Sequence, residues 1–233
     1  METRNVEISA LRTLRSGFLY LLVAVIMGIV AALAGLLSII AALGFMPAAP
    51  HRPFAGVIGA AAPLLVLSLV AVGIVLYAIF GKIRPGMRRL SEVINGFRIS
   101  YTGTTLMLVG LVIMVLGLIV LAAVSTAAGS SPEAIGGTVV SNLTLALGVP
   151  LIGAVIAWIG NILTFVVGAF LLYSKYQKSL YMAAGILFVV DIALLLNGFF
   201  GNILSLVGCI LMYIALDDTI NRLSTAATTT AQA

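Results

Sequence analysis

Apolar residues run through this chain in long blocks, and basic residues mark every second boundary between them. Blocks this long, without the 3.6-residue alternation of a helix on a soluble core, predict helices surrounded by lipid. The first covers about residues 17–45, the second about 55–80, the third about 101–124 and the fourth about 149–173. A last block, Leu180–Leu216, is too long for one crossing and divides at "NGFFGN" (Asn197–Asn202). That gives spans at about 180–196 and 199–216, each near the lower limit for crossing ~30 Å of hydrocarbon at ~1.5 Å per residue. The expectation is an all-α, polytopic integral membrane bundle of six transmembrane helices. In a five-span alternative, 180–216 makes one bent helix and a re-entrant piece.

Charge sets the orientation. Arg4, Arg12 and Arg15 precede the first span; Lys82, Arg84, Arg88, Arg89 and Arg98 fill the loop after the second; Lys175 and Lys178 follow the fourth; Arg222 follows the sixth. In the six-span arrangement all of these share one side, and of the 12 basic residues Arg52 alone faces the other. Such asymmetry is the positive-inside pattern, so both termini are expected in the cytoplasm. Residues 1–16 then form a basic cytoplasmic segment and 217–233 a polar cytoplasmic tail, whose "TAATTTAQA" is expected to be disordered. The first block is about twice the 7–15-residue core of a cleavable signal peptide.

The returning spans share a signature: "LSLVAVGIVLY" (Leu67–Tyr77), "LTFVVGAFLLY" (Leu163–Tyr173) and "LSLVGCILMY" (Leu204–Tyr213). The outgoing spans each begin with a basic residue, Ser and an aromatic: "RSGFLY", "RISY" and "KSLY". Three tandem helical hairpins are expected from this. Tyr20, Tyr77, Tyr101, Tyr173, Tyr181 and Tyr213 then fall at one interface, as headgroup-level anchors and not as nucleophiles.

Composition agrees and excludes much chemistry. The chain is 62% hydrophobic and 8% charged, against about 25% charged in soluble domains. One cysteine (Cys209) rules out an intrachain disulfide and a thiolate cluster, and one histidine (His51) cannot supply a multi-histidine metal site. No metal, cofactor or catalytic residue is expected, and intramembrane catalysis lacks any base–nucleophile pair. The net charge of +5 follows membrane sidedness with no accompanying motif, so nucleic acid is not an expected partner.

Asp191, in "LFVVDIALLL", is the one ionisable residue inside a predicted span. A carboxylate at such depth costs on the order of 2.5–3.5 kcal/mol on translocon scales, so it asks for a reason. The preferred reading is a protonated or hydrogen-bonded acid facing the bundle, or one lying near the outer interface; a proton or cation site is the alternative. The helix-packing polar residues Asn161, Thr164, Asn202 and Ser205 are its expected partners. Asn161 and Asn202 belong to the twice-occurring "GNIL", which lies on small-residue faces: Gly153, Ala157, Gly160, Thr164 and Gly168 in span four, Gly201, Ser205, Gly208 and Met212 in span six. Such faces draw helices together in lipid, and the Asn161 amide is expected to bond across one. Lys82, Arg84, Arg88 and Arg89 lie in a loop expected to hold a short amphipathic helix along the inner leaflet, in contact with anionic lipid. Asn142 opens the single Asn-x-Ser/Thr sequon, a weak glycosylation signal. Pro132–Leu147 is a candidate outer amphipathic or re-entrant helix.

The opening "LRSGFLYLL", the pair "MRRL" and "ISYTGTTLMLVGLVI", and the late "GNILSLVGCILMYIAL" resemble an uncharacterised archaeal multi-pass membrane family, domain of unknown function 973, over about Leu11–Asp218. The resemblance implies an archaeal plasma-membrane protein and supplies no activity and no site residues. The functional expectation is therefore a non-enzymatic structural or accessory subunit, in contact with membrane lipid and suited to homo- or hetero-oligomers through its Gly-rich faces. The alternative is a small proton- or cation-linked transporter or channel using Asp191.

Overall fold

A helix satisfies all of its own backbone donors and acceptors, so a single apolar block in lipid has little other choice. The computed structural model describes residues 2–44, 66–67, 69–129, 137–196 and 203–232, and among these six helices and no strand occur. Helix α1 is Glu2–Gly44 and α2 is Leu69–Val93. Helix α3 is Phe97–Gly129. Helix α4 starts as Gly137–Asn161, widens into a π-helical stretch at Ile162–Val167 and finishes as Gly168–Tyr176. Helices α5 and α6 are Ser179–Leu196 and Ile203–Gln232. Five of the six are long and apolar enough to cross a membrane; α5 is the short one. The loop holding Arg52 and the break at Asn197–Asn202 lie outside the described residues.

The helices pack as three antiparallel pairs, α1 with α2, α3 with α4 and α5 with α6. Neighbouring pairs touch through α2 and α3 and through the end of α4 and α5, and α1 lies against α6, closing a ring. Contacts between distant positions place all the pair ends together: Arg4 donates to the Leu223 carbonyl, Lys178 pairs with Asp218, and Gly17 abuts Lys82 and Ile83. Both ends of the chain, and every described basic residue of these contacts, therefore share one end of the bundle.

At its centre stand three phenylalanines, one from each pair. Phe18 of α1 meets Phe165 of α4 edge-on at 6.0 Å between ring centroids, and Phe165 meets Phe188 of α5 at 5.8 Å. Phe188 in turn fills the space over Gly208 of α6, where an added Cβ would lie 2.8 Å from the ring. Phe165 belongs to the π-helical stretch of α4. There the Gly168 N–H turns to the Phe165 carbonyl, and the buried Ser100 hydroxyl of α3 donates to the Thr164 carbonyl at 3.1 Å. A wide turn releases backbone groups that a regular helix keeps to itself, and here a neighbouring helix takes one up.

Several expectations need correction. Within the basic segment 1–16, residues from Glu2 on form the first turns of α1, with Ala10, Leu11 and Leu14 buried. Likewise the tail is helical through Gln232, without Gly or Pro to stop it and with the Thr225 hydroxyl returned to the Asn221 carbonyl. The amphipathic stretch Arg84–Val93 does form a helix, but it continues α2 and docks on α1. Gly86 fits against Leu14 there with room for no side chain, since an added Cβ would lie 2.7 Å from Leu14 Cγ. Residues from Gly137 onward continue into span four instead of forming a separate outer helix, and Pro150 sits within α4. Tyr181 is fully buried and shares a hydrogen bond with Thr219, so it is a core residue and not a lipid anchor. A second π-helical stretch, Tyr77–Ile83 in α2, starts at the tyrosine that the sequence aligns with Tyr173, whereas that of α4 ends at Val167. The backbones of these two aligned spans thus differ.

Between α2 and α3 the chain turns through Gly96, whose φ of 100° is unfavourable for any residue with a Cβ. Gly96→Ala should lower unfolding stability by about 1–2 kcal/mol; a thermal or denaturant melt in detergent identical to the parent would show that the turn adapts.

Candidate functional site

Among the described residues, two groups of polar and charged side chains stand out as able to do chemistry. The first is the α5–α6 contact. Asp191 of α5 accepts a hydrogen bond from the Ser205 hydroxyl of α6 on Oδ2 at 2.5 Å. Its other oxygen, Oδ1, is buried and has no hydrogen-bond partner among the described residues. Among the described residues no Lys or Arg forms an ion pair with Asp191, so an anion there would stand uncompensated. Such a carboxyl can hold a proton and hand it on, or fix α5 to α6.

Of the other expected partners of Asp191, Thr164 is buried and donates to the Gly160 carbonyl of its own helix at 2.8 Å. Asn161 is half-buried at the start of the wide stretch, where its side chain makes no capping hydrogen bond. Asn202 lies outside the described residues, and Asn142 falls within α4, whose early side chains are likewise not described. The structure therefore brings Ser205 to Asp191 and leaves Thr164 to a packing role.

That role is shared. Gly103, Gly110 and Gly117 of α3 face Gly160, Gly153 and Pro150 of α4, and each pair meets backbone to backbone. A Cβ on Gly110 would lie 2.3 Å from the Ala157 nitrogen, and one on Gly153 would lie 2.4 Å from the Met114 nitrogen. The α4 half of this seam is legible as the small-residue face of span four. The α3 half escapes a reading confined to the returning spans, although its signal is plain: glycines seven residues apart, which return to the same side of a slightly underwound helix every two turns.

The second place is the shared end of the helix pairs. Arg15 pairs with Asp217 at 2.9 Å, donates to the Tyr213 hydroxyl at 2.8 Å and lies over its ring at 4.8 Å. Glu7 accepts from the Tyr176 hydroxyl at 2.6 Å. Lys178, mostly buried, pairs with Asp218, which also meets Arg222 at 3.5 Å. Burial, followed by the Arg222 charge, lowers the pKa of Lys178 from its ordinary value. Sequence reasoning misses this ion-pair group, because it weighs the basic residues for sidedness and passes over Glu7, Asp217 and Asp218 beside them. Of the loop residues, Lys82 lies over the Tyr77 ring and Arg84 over that of Tyr101, both at 5.8 Å. Arg88 makes an exposed i,i+4 pair with Glu92 at 3.8 Å, an arrangement that contributes little, and Arg89 is exposed.

Among the described residues no three of His, Cys, Asp and Glu come together as a metal site would require. No curated protein and no solved structure matches the chain. Residues 7–233 match the sequence profile of the family described as protein of unknown function, DUF973. The match extends over nearly the whole chain, both polar places included, and the chain belongs to that family.

Proposed function

We propose that this chain is a non-catalytic integral membrane protein, a structural or accessory subunit whose helices assemble through small-residue faces. The observation that carries this reading is the use made of Asp191: its carboxyl is engaged by Ser205 within a helix–helix contact. The buried hydroxyls Ser100 and Thr164 are spent in the same way on helix carbonyls. Positive-inside asymmetry supports a cytoplasmic placement for the end that gathers Arg4, Arg15, Lys178 and Arg222. Membrane lipid, and further copies or other subunits in the same membrane, are the partners this reading implies; nucleic acid is not among them.

One observation favours a second reading, a proton- or cation-linked transporter: the buried Asp191 Oδ1, which has no partner among the described residues. Purified protein in liposomes separates the two. Under the accessory reading, an imposed pH or cation gradient drives no flux above protein-free vesicles, and Asp191→Asn changes nothing. Flux that Asp191→Asn abolishes would establish the transporter instead. The structural role has its own measure. Asparagine keeps an acceptor for Ser205, so Asp191→Asn should cost under about 1 kcal/mol, whereas Asp191→Leu should cost about 1–2 kcal/mol by stranding that hydroxyl. Equal melting of the two variants would count against the Ser205 bond as a helix fastener.

A further inference from the structure

Along α1, Arg12, Arg15, Ser16, Leu19 and Tyr20 follow one another at helical spacing, and with Tyr213 of α6 they line an open cleft of about 220 Å³. Its donors are unequally used. The Ser16 hydroxyl is already given to the Thr13 carbonyl. Arg15 spends its two terminal nitrogens on Asp217 and Tyr213. Tyr213 accepts that bond with its oxygen, and its own proton has no acceptor among the described residues. Arg12 is exposed and forms no ion pair among the described residues. Asp217 balances Arg15, which leaves Arg12 as one uncompensated positive charge at the cleft, beside a free phenolic donor.

An anion is the complement of such a site. What adjoins it says which anion. Leu19, Val23, Ile26, Val30, Leu33 and Leu37 continue from the cleft along α1 at alternating four- and three-residue steps, and all are exposed. Such spacing makes one continuous apolar ridge on the helix surface. A charged head at the cleft with an alkyl chain laid on this ridge is an amphiphile at the membrane interface. We infer that the cleft between α1 and α6 binds the phosphate headgroup of an anionic lipid, with Arg12 and the Tyr213 hydroxyl as its ligands and the Leu19–Leu37 ridge as the bed for a chain. This rests on the reading of the chain as a lipid-embedded bundle, but not on whether it is an accessory subunit or a transporter, so flux results leave it untouched.

The test uses the full chain purified in a neutral detergent and melted while titrated with short-chain phosphatidylglycerol, short-chain phosphatidylcholine or inorganic phosphate. The expected result is a saturable rise in melting temperature with phosphatidylglycerol alone. Arg12→Gln should melt like the parent without lipid, because its side chain is exposed and unpaired, and should weaken the phosphatidylglycerol response about tenfold. Tyr213→Phe keeps the ring under Arg15 and should weaken it less. Lys175→Gln removes one positive charge from an exposed position outside the cleft and should leave the response within about twofold. Equal losses from Arg12→Gln and Lys175→Gln would reduce the effect to general surface charge and overturn the site. A matching rise with inorganic phosphate would make it a free-anion site, and no rise with phosphatidylglycerol would remove it.

Discussion

Gly110→Leu should abolish the compact bundle. The glycine has no space to give: a Cβ alone would stand 2.3 Å from the Ala157 nitrogen and 2.6 Å from the Gly153 carbonyl oxygen. Those are backbone atoms, which cannot rotate out of the way as a side-chain tip can, so the helices must separate along their length. Overpacking a core costs about 1–3 kcal/mol when side chains can adjust, and a backbone collision lies at or above the top of that range. Separation also forfeits the close approach that holds helices together where no hydrophobic force acts between them. Gly153→Leu meets α3 in the same way and should behave alike, whereas Gly28→Leu, where a Cβ has nothing within 4 Å, should be tolerated. Yield of monodisperse protein in mild detergent, with the melting temperature of whatever folds, is the measure. A Gly110→Leu protein as stable as Gly28→Leu would mean that α3 and α4 do not meet in this way.

Phe165→Ala comes next in expected effect. Its ring is the middle member of the three that join the helix pairs, touching Phe18 on one side and Phe188 on the other. Truncation leaves a void between three pairs of helices at once, and aromatic-to-alanine changes in packed cores cost about 3–5 kcal/mol. Lipid rather than water surrounds the separated helices, so the transfer part of that cost shrinks and lost packing dominates. The lower end, about 3 kcal/mol, is the expected loss. Phe165→Leu should recover a good part of it. Phe170→Ala provides the contrast, since Phe170 is an exposed neighbour on the same helix. If alanine at 165 and at 170 destabilised equally, the aromatic centre would not be what joins the pairs.

The helical class and the presence of several membrane-length apolar helices were legible because lipid imposes a blunt requirement, long uninterrupted apolar blocks, that composition reveals directly. Small-residue packing in α4 was legible for a related reason, since Gly153, Ala157 and Gly160 recur on one face. Its partner face, with Gly103, Gly110 and Gly117 seven residues apart, needed a longer window than a single pair of turns. What the sequence hid were the places where local signals compete. Arg84–Val93 carries the pattern of a surface helix, yet Met87 and Leu90 bury against α1, and tertiary contact decides its direction. The polar tail reads as disordered by composition, but it inherits a helix already begun in the membrane. Tyr181 has the address of an interfacial anchor, and only the approach of Thr219 turns it inward. Asp191 was conspicuous from its residue type alone; which of four candidate partners would reach it depended on helix rotation, which a period cannot supply.

The contact of α1 with α6 has a consequence for how the protein is made. The face of the first helix that carries Arg15 finds Tyr213 and Asp217 only after α6 has left the ribosome. Until then that face stands open in the bilayer, while the α1–α2 and α3–α4 pairs can already form from neighbouring sequence. The ring closes only once α6 has been made, so a chain cut short before α6 should insert normally and yet remain an open row of hairpins, available to any surveillance system that reads unsealed helices in the membrane.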